Sequence, residues 1–379
     1  MREKNQKIII KYGELWLKSE PVKKRFIDAL AENVRSSLRS NGVRDFRLGR
    51  KRDMLVLETD EAKAEAALSS VFGISWFTRA METLSEMRQI ENAALEEAGK
   101  IKKSETFAVR AGRSDKSFQF TSNEIENRIG AKIDRSVDLS NPDFTIYVEV
   151  GKDRSYVYSR KIKGAGGLPY GVSGRTLSLI SGGIDSPVAS WFMMKRGCSV
   201  DFVHFYADRK DVRKIEALLE KLRRYAPLHL NLYSVHFAPI QQAIVRDCER
   251  RYTCVLCKRL MYRISSTIAA EIKAKALVTG ENLAQVASQT LDNLAANSDV
   301  IRIPILRPLL GMDKEETIAI AKRIGTYDVS IKSAEACKFV PSKPATKADS
   351  VTIAKEEAKI KNLNSLIKEA VLKCERLVV

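Results

Sequence analysis

No stretch of 18 apolar residues occurs in this 379-residue chain, so no transmembrane helix and no membrane partner are expected. The opening residues, Met1-Arg-Glu-Lys-Asn-Gln-Lys7, lack the apolar core of a secretory signal and run into Ile8-Ile9-Ile10, which leads us to expect a cytoplasmic protein. Cysteine is scarce. Six residues, at 198, 248, 254, 257, 337 and 374, are too few and too scattered for a secreted disulfide framework. Internal repeats and low-complexity segments are also lacking. Acidic charge is in deficit, with 47 Asp and Glu against 65 Lys and Arg, leaving a net charge of +18. The surplus is +5 over residues 1–75, +2 over 76–170 and +11 over 171–379. A balance of this kind suits a polyanionic partner such as RNA. A hydrophobic content of 44% is enough for packed cores in two or three domains.

The most informative segment is Ser181-Gly182-Gly183-Ile184-Asp185-Ser186. It follows an apolar run at 176–180 that reads as a buried parallel strand, and it precedes a helix-like run ending at Gly197. Ser186 is expected to cap that helix, with Pro187 as its first residue. Gly182 and Gly183 are expected to reach positive φ and to let a ligand approach the backbone. The free N–H groups of the helix start, with the hydroxyls of Ser181 and Ser186, then form a cradle for phosphate. The loop has neither the Gly-x-x-x-x-Gly-Lys-Ser/Thr pattern nor the Gly-x-Gly-x-x-Gly spacing. It resembles the PP-loop, Ser-Gly-Gly-x-Asp-Ser, of ATP pyrophosphatases, which cleave ATP between the α and β phosphates and adenylate an oxygen.

Along the chain, strands at 7–11 and 54–58 with helices at 21–40 and 60–71 read as a small ferredoxin-like α+β unit, residues 1–75. A second unit, 76–165, has helices at 85–100 and 123–135 and strands at 106–110, 144–150 and 155–161. Gly164-Ala-Gly-Gly-Leu-Pro-Tyr-Gly171 is a linker by composition. From 172 to 379, strands at 176–180, 199–205, 228–237, 276–279 and 300–305 alternate with helices at 209–225, 239–251, 260–273 and 314–324. That alternation predicts an α/β doubly wound parallel sheet, whose ligands lie beyond the carboxyl ends of the strands. The tail from 345 reads as helical.

Several further motifs fall in order. They are Lys11-Tyr-Gly-Glu-Leu-Trp-Leu-Lys18, Phe107-Ala-Val-Arg-Ala-Gly-Arg113 with Phe120-Thr-Ser122, Asp138-Leu-Ser-Asn-Pro-Asp143, Met193-Met-Lys-Arg-Gly197, Lys258-Arg-Leu-Met-Tyr-Arg263, Thr279-Gly-Glu-Asn-Leu-Ala-Gln-Val-Ala-Ser-Gln-Thr290 and Arg307-Pro-Leu-Leu-Gly-Met-Asp-Lys314. With the PP-loop they make nearly the whole chain similar to the tRNA 4-thiouridine synthetases, the ThiI family. That resemblance implies an N-terminal ferredoxin-like domain, a THUMP RNA-binding domain and a PP-loop ATP pyrophosphatase domain. It implies adenylation of O4 of the eighth nucleotide of tRNA, a uridine, followed by displacement of AMP by sulfur. By the same resemblance, ATP contacts fall on Leu179, Ile180, Ser181, Gly182, Gly183, Asp185, Ser186, His204, Phe205, Lys258, Gly280 and Gln289. Lys258 and Lys314 would offset phosphate charge, and Asp185 would organise Mg²⁺ or the α-phosphate. Without the family, His204 reads as structural, Gly280 as a turn glycine, and Gln289 carries no signal of its own. The tRNA partner rests on the family more than on charge, because Arg110, Arg113 and Lys116 alone read as a solvated face.

Cys254-Val-Leu-Cys257 by itself is half a zinc site, a redox pair or chance. Cys337, in Ala336-Cys-Lys-Phe-Val-Pro, matches the family's catalytic cysteine. Three thiolates admit a structural zinc, with Cys248 as a candidate fourth ligand, or a [4Fe-4S] cluster with one open iron. The common bacterial form adds a rhodanese domain that carries persulfide and lacks the Cys-x-x-Cys pair. The expectation here is the archaeal-type arrangement, in which the cluster carries sulfur from sulfide or a cysteine desulfurase persulfide. Cys198 and Cys374 read as structural. A homodimer, one copy's THUMP unit delivering tRNA to the other's active site, is compatible with this plan. Two other functions remain open: a PP-loop enzyme supplying sulfur for the thiamine thiazole, and a non-catalytic tRNA-binding adaptor.

Overall fold

The computed structural model describes residues 6–13, 19–51, 53–227, 229–332 and 337–379. The motif residues Glu14 to Lys18, Leu228 at the start of an expected strand, and Ala336 beside Cys337 lie outside them. The chain divides into two compact units, one of residues 1–23 and 37–166, the other of residues 24–36 and 167–379.

In the first unit the elements are β1 (Gln6–Tyr12), α1 (Glu20–Ser40, whose middle belongs to the second unit), β2 (Arg47–Arg50), β3 (Met54–Glu58), α2 (Lys63–Ser69) and β4 (Ile74–Leu84), then α3 (Met87–Ala98), β5 (Phe107–Arg113), α4 (Ser122–Gly130), β6 (Phe144–Val150), β7 (Arg154–Tyr158) and β8 (Ile162–Lys163). One sheet, ordered β2-β3-β1-β4-β7-β6-β5, runs through both expected domains, with β8 against β4. Ile8, Ile9 and Ile10 are fully buried, because β1 is flanked by β3 and β4 in antiparallel register. The expected boundary at 75/76 falls inside β4, which pairs β1 along most of its length and β7 at its far end. Among the described strands of this sheet, only β5 and β6 pair in parallel. Helices α3 and α4 bury Ile90, Ala94, Ile125 and Ile129 against Phe107, Val109, Ile146 and Val148. Thr121 and Glu124 close a capping box that fixes where α4 begins.

The second unit contains β9 (Arg175–Leu179), α5 (Asp185–Lys195), β10 (Ser199–Tyr206), α6 (Lys210–Arg223), β11 (Asn231–His236), α7 (Ala238–Asp247), α8 (Thr253–Glu271) and β12 (Leu277–Val278), then α9 (Leu291–Ser298), β13 (Ile305–Leu306), α10 (Lys314–Ile324), α11 (Tyr327–Ser330), α12 (Ser350–Ala358), α13 (Leu363–Leu372) and β14 (Glu375–Val378). Its sheet is ordered β13-β12-β9-β10-β11-β14. The first five strands pair in parallel, and β14 closes the edge antiparallel to β11. From β9 the chain winds outward through β10 and β11, then returns to the other side as β12 and β13. The switch point therefore lies between β9 and β12, where ligands of such sheets bind. The core gathers Leu177, Val203, Val235, Leu256, Leu260 and Leu277. Truncating one of these to Ala would cost about 2–5 kcal/mol.

Candidate active site

The Ser181–Ser186 loop leaves β9 at this switch point. Its internal bonding differs from the expectation in two ways. First, α5 begins at Asp185 with Ile184 as its N-cap, so Ser186 lies inside the first turn and is not the cap. The Ser186 hydroxyl accepts from the Ser181 N–H at 2.9 Å and donates to the Ser181 carbonyl at 3.2 Å. The two serine hydroxyls lie 3.0 Å apart. These bonds tie the two ends of the loop together. Second, neither Gly182 nor Gly183 is among the positive-φ residues. Gly182 serves close approach instead, because a Cβ there would lie 3.1 Å from Cδ of Lys214 on α6. A buried relay anchors the helix below: Ser190 donates to the Ser186 carbonyl at 2.7 Å and meets Ser178 of β9 at 2.8 Å.

Gly280, at the end of β12, is the other wall of the switch point. A Cβ on it would sit 2.6 Å from the Ser186 nitrogen and 2.7 Å from the Asp185 carbonyl carbon. Its role is contact with the phosphate loop, not a turn. Asp185 and Lys314, distant in sequence, form an ion pair at 2.7 Å. Lys314 is delivered there as the first residue of α10, whose start is fixed by a capping box between Asp313 and Glu316.

Lys258 reaches Glu281 at 3.0 Å. Glu281 is the residue that sequence reasoning missed. Its buried carboxylate also accepts from Tyr262 Oη at 2.7 Å, Thr279 Oγ1 at 3.1 Å and Arg307 Nε at 2.8 Å. Burial pushes this carboxyl up, but Lys258, Tyr262 and Arg307 outweigh it and hold it below the ordinary value. Three of the sequence motifs thus meet on one charge. His204 is buried, and its Nδ1 donates to the Ile180 carbonyl at 3.0 Å, which joins β10 to the start of the loop. Ile180 is buried, Leu179 and Phe205 are half-buried, and Phe205 packs edge-to-face on Phe237. Gln289 lies in a short 3-10 turn, with its side-chain oxygen buried and without a hydrogen-bond partner among the described residues.

The thiols form a second cluster. Cys254 and Cys257 occupy the first turns of α8, which begins at Thr253 and not near 260 as expected, so the pair shares one helix face. Burial raises the Cys254 thiol, Cys337 raises it further, and Lys258 opposes. Burial lifts Cys257 far more, with Cys254, Cys337 and Cys248 adding to it. Cys337 itself is exposed. Cys248 donates its S–H to the Glu356 carbonyl at 3.3 Å, and burial with Glu356 pushes it up to about 11. Among the described residues no group of three or more His, Cys, Asp or Glu is drawn together closely enough to hold a metal ion. The structure therefore brings Cys337 into electrostatic range of the Cys254/Cys257 pair without closing a ligand set.

In the first unit, an open groove of about 780 Å³ is lined by Lys11, Arg110, Arg113, Lys161 and the acidic Asp53, Glu126 and Glu149, among others. Arg113 is partly committed to the Phe118 and Phe120 carbonyls. Lys161 stands 3.6 Å over the Tyr147 ring, which stacks on Tyr158 at 5.2 Å. No described helix is long and apolar enough to cross a membrane.

Comparison with known proteins decides the family. The model described as "Thiamine biosynthesis protein (ThiI)" matches residues 171–362, the THUMP domain matches 85–160, and the ThiI ferredoxin-like domain matches 7–78. This chain belongs to the ThiI family. It is 39% identical to a probable tRNA sulfurtransferase of Caldanaerobacter subterraneus subsp. tengcongensis, covering 93% of this chain and 95% of that one. A probable tRNA sulfurtransferase of the archaeon Methanosarcina acetivorans is 36% identical over 93% of this chain and 89% of its own length. The fold is similar to the crystal structure of a 4-thiouridine synthetase in complex with RNA and ATP. That match has a TM-score of 0.89 and 32% identity, and covers 99% of this chain and 100% of that one. The ferredoxin-like, THUMP and PP-loop parts expected from the motifs are therefore the parts of a ThiI-family enzyme.

Proposed function

We propose that this protein uses ATP to replace O4 of a tRNA uridine, at position eight, with sulfur, giving 4-thiouridine. The observation that carries the reading is the convergence of the Ser181–Ser186 loop, Gly280 and the Asp185–Lys314 pair at the switch point of the sheet. ThiI membership and the ATP- and RNA-bound neighbour support it. The chemistry needs activation, because a carbonyl oxygen is a poor leaving group. O4 forms a bond to the α-phosphorus, the bond to pyrophosphate breaks, and C4 is left attached to a good leaving group. N3 gives up its proton as O4 is adenylated. Sulfur at the sulfide level, as hydrosulfide, then bonds to C4, AMP departs with O4, and the hydrosulfide's proton restores N3–H, giving the 4-thione.

Loop N–H groups and Lys314 stabilise charge developing on the phosphates, where a preformed site is worth most. Asp185 holds Lys314 in place, and as a carboxylate beside the phosphates it is suited to a divalent magnesium ion. Lys258, held by Glu281, supplies a second fixed positive charge. Leu179, Ile180, His204, Phe205 and Gln289 are proposed to frame the nucleoside. The mixed-charge groove of the first unit, lined by Arg110 and Arg113 among others, is proposed, with Lys116, to grip the tRNA acceptor end by backbone and shape.

Cys254, Cys257 and Cys337 would hold a [4Fe-4S] cluster. Cys254 and Cys257 share the start of α8, and Cys337 adds a third soft donor, a set that suits iron–sulfur chemistry better than a Cys-x-x-Cys pair alone. When bound, such a cluster supplies an open iron site for sulfide. The exposure of Cys337 favours a second reading, in which Cys337 carries sulfur as a persulfide and Cys254 releases the product by forming a disulfide with it. Nucleoside analysis by mass spectrometry of tRNA from a deletion strain tests the main function. Loss of 4-thiouridine, restored by the gene, is expected. Normal 4-thiouridine would refute it, and a thiamine requirement in its place would select thiazole sulfur transfer.

A further inference from the structure

Lys214 belongs to none of the motifs and is unremarkable in sequence. On α6 its side chain crosses directly over the phosphate loop, where a Cβ at Gly182 would meet its Cδ, Cε and Nζ at 3.1, 3.3 and 3.4 Å. Its ammonium group then donates to two main-chain carbonyls, Ser330 at 2.9 Å and Lys332 at 2.7 Å. Ser330, at the end of α11, also donates its hydroxyl to the Gly183 carbonyl at 3.3 Å. One lysine therefore lies against the phosphate loop while holding the chain that leads to Cys337. Cys337 is five residues beyond Lys332, a span of at most roughly 17 Å of extended chain. Where Lys332 is held thus limits where the Cys337 thiol can go.

We propose that Lys214 is a positioning residue that fixes the approach of Cys337 to the phosphate loop, so that the sulfur step depends on a staple anchored at the adenylation site. The proposal rests on the sulfurtransferase reading above. Two carbonyls at 2.9 and 2.7 Å are the pattern of a side chain that organises backbone. Gly182 is required beneath it, because a larger residue there would displace the staple. Lys214 is distinct from Lys314, which pairs with Asp185.

The test uses the full chain with Lys214→Met, which keeps the aliphatic stem over Gly182 and removes the donors, and Lys214→Arg, which restores donors. The first readout needs no activity: trypsin cleavage after Lys332 and Lys338. Cleavage in Lys214→Met is expected to be about fivefold faster or more, at unchanged thermal midpoint, because local opening costs less without the staple. The second readout separates the steps in a single turnover. Pyrophosphate release from ATP and tRNA should stay within about threefold of wild type, while 4-thiouridine formation falls about tenfold or more. Lys214→Arg should recover most of both losses.

Unchanged cleavage with unchanged thiolation would overturn the proposal. Equal loss of pyrophosphate release and thiolation, with cleavage unchanged, would also overturn it and make Lys214 a phosphate ligand. If the wild type releases no pyrophosphate and forms no 4-thiouridine, the functional reading fails, and the cleavage comparison still decides the staple.

Discussion

Gly280→Ala is the sharpest perturbation the site offers, because it adds a single methyl group. The new Cβ would lie 2.6 Å from the Ser186 nitrogen, 2.7 Å from the Asp185 carbonyl carbon and 2.8 Å from the Ser186 Cα. All three are backbone atoms at the start of α5, so no flexible side chain can swing away. Reaching ordinary contact requires the loop and β12 to separate by roughly 0.8–1 Å. Overpacking of this size costs about 1–3 kcal/mol. The larger effect is on chemistry, since the displaced atoms carry Asp185 and the N–H groups of the phosphate cradle. A misplacement near 1 Å is worth about 100-fold in rate. Conformation is not the cause, because Gly280 is not among the positive-φ residues.

The assay is pyrophosphate release from ATP in the presence of unmodified tRNA, with the thermal midpoint measured in parallel. We expect a fall of about 100-fold in kcat/KM and a midpoint lowered by a few degrees. Gly311→Ala is the control. It lies in the Arg307–Lys314 motif, yet a Cβ there meets nothing within 4 Å, and it should be silent in both measurements. Wild-type rate and midpoint in Gly280→Ala would refute the argument that β12 and the phosphate loop form one wall. An equal loss in both variants would show that glycine in these motifs acts through something other than contact.

Asp185→Asn and Lys314→Met should each lower pyrophosphate release about 100-fold while costing under about 1 kcal/mol of stability, since both partners are partly exposed; a full rate in either variant removes the pair from the mechanism. Anaerobically purified protein should carry iron and sulfide, with Cys254→Ala and Cys257→Ala each losing both, and stoichiometric zinc without iron would return the pair to a structural role. Binding of the full chain to tRNA should weaken about tenfold or more as salt rises from about 50 to 200 mM, because neutralised phosphates release counterions; salt-independent binding would sink the groove as a backbone site. Cys248 ionises near 9 when unfolded and is pushed up to about 11 in the fold. Its contribution is therefore complete below pH 9 and lost as pH climbs towards 11. Over that window wild type should lose more thermal stability than Cys248→Ser, and identical profiles would show that the half-buried thiol does not titrate as placed.

The phosphate loop was legible because strand, turn and helix starts are local properties, and so were the alternating elements around it. Its internal geometry was not. Whether Ser186 caps the helix or closes the loop depends on where Ile184 sits, and the tertiary fit of Gly280 against Ser186 leaves no local trace. Gly280 reads as a turn residue because its partner lies almost a hundred positions away. Glu281 escaped for the same reason: its four partners come from α8, the end of β12 and Arg307. The edge strand β14 follows a helical tail, and its sequence, two charged residues followed by two apolar ones, hides the alternation of half-buried and exposed positions that the fold gives it. The separation of ferredoxin-like and THUMP parts read from the order of strands and helices is crossed in the fold by β4, because a strand of 11 residues is long enough to pair different neighbours at its two ends. The start of α8 was placed too late, although its earlier start is what puts Cys254 and Cys257 on a rigid element.

That last feature bears directly on how two reactions share one site. Helix α8 carries the thiol pair at its start, Lys258 immediately after, and Tyr262 one turn further on. Cys254 and Lys258 are four residues apart, so the helix sets them about 6 Å apart along its axis. The same lysine that pairs with Glu281 opposes the rise of the Cys254 thiol's pKa. Helix α8 itself is not free to shift. Arg259 is buried, donates to the Ala296 carbonyl, and pairs with Glu357 and Asp299. Removing one partner of such a buried pair costs about 3–5 kcal/mol, which makes the register of α8 against α9 and α12 expensive to change. Phosphate-side charge and sulfur-side thiols are thereby held at a fixed separation by helical geometry. Only Cys337 arrives from outside α8, on a chain that Lys214 ties to the phosphate loop. On the proposed function, fixing one helix and tethering one cysteine keeps C4, bearing the O4-linked AMP, in register with the incoming sulfur.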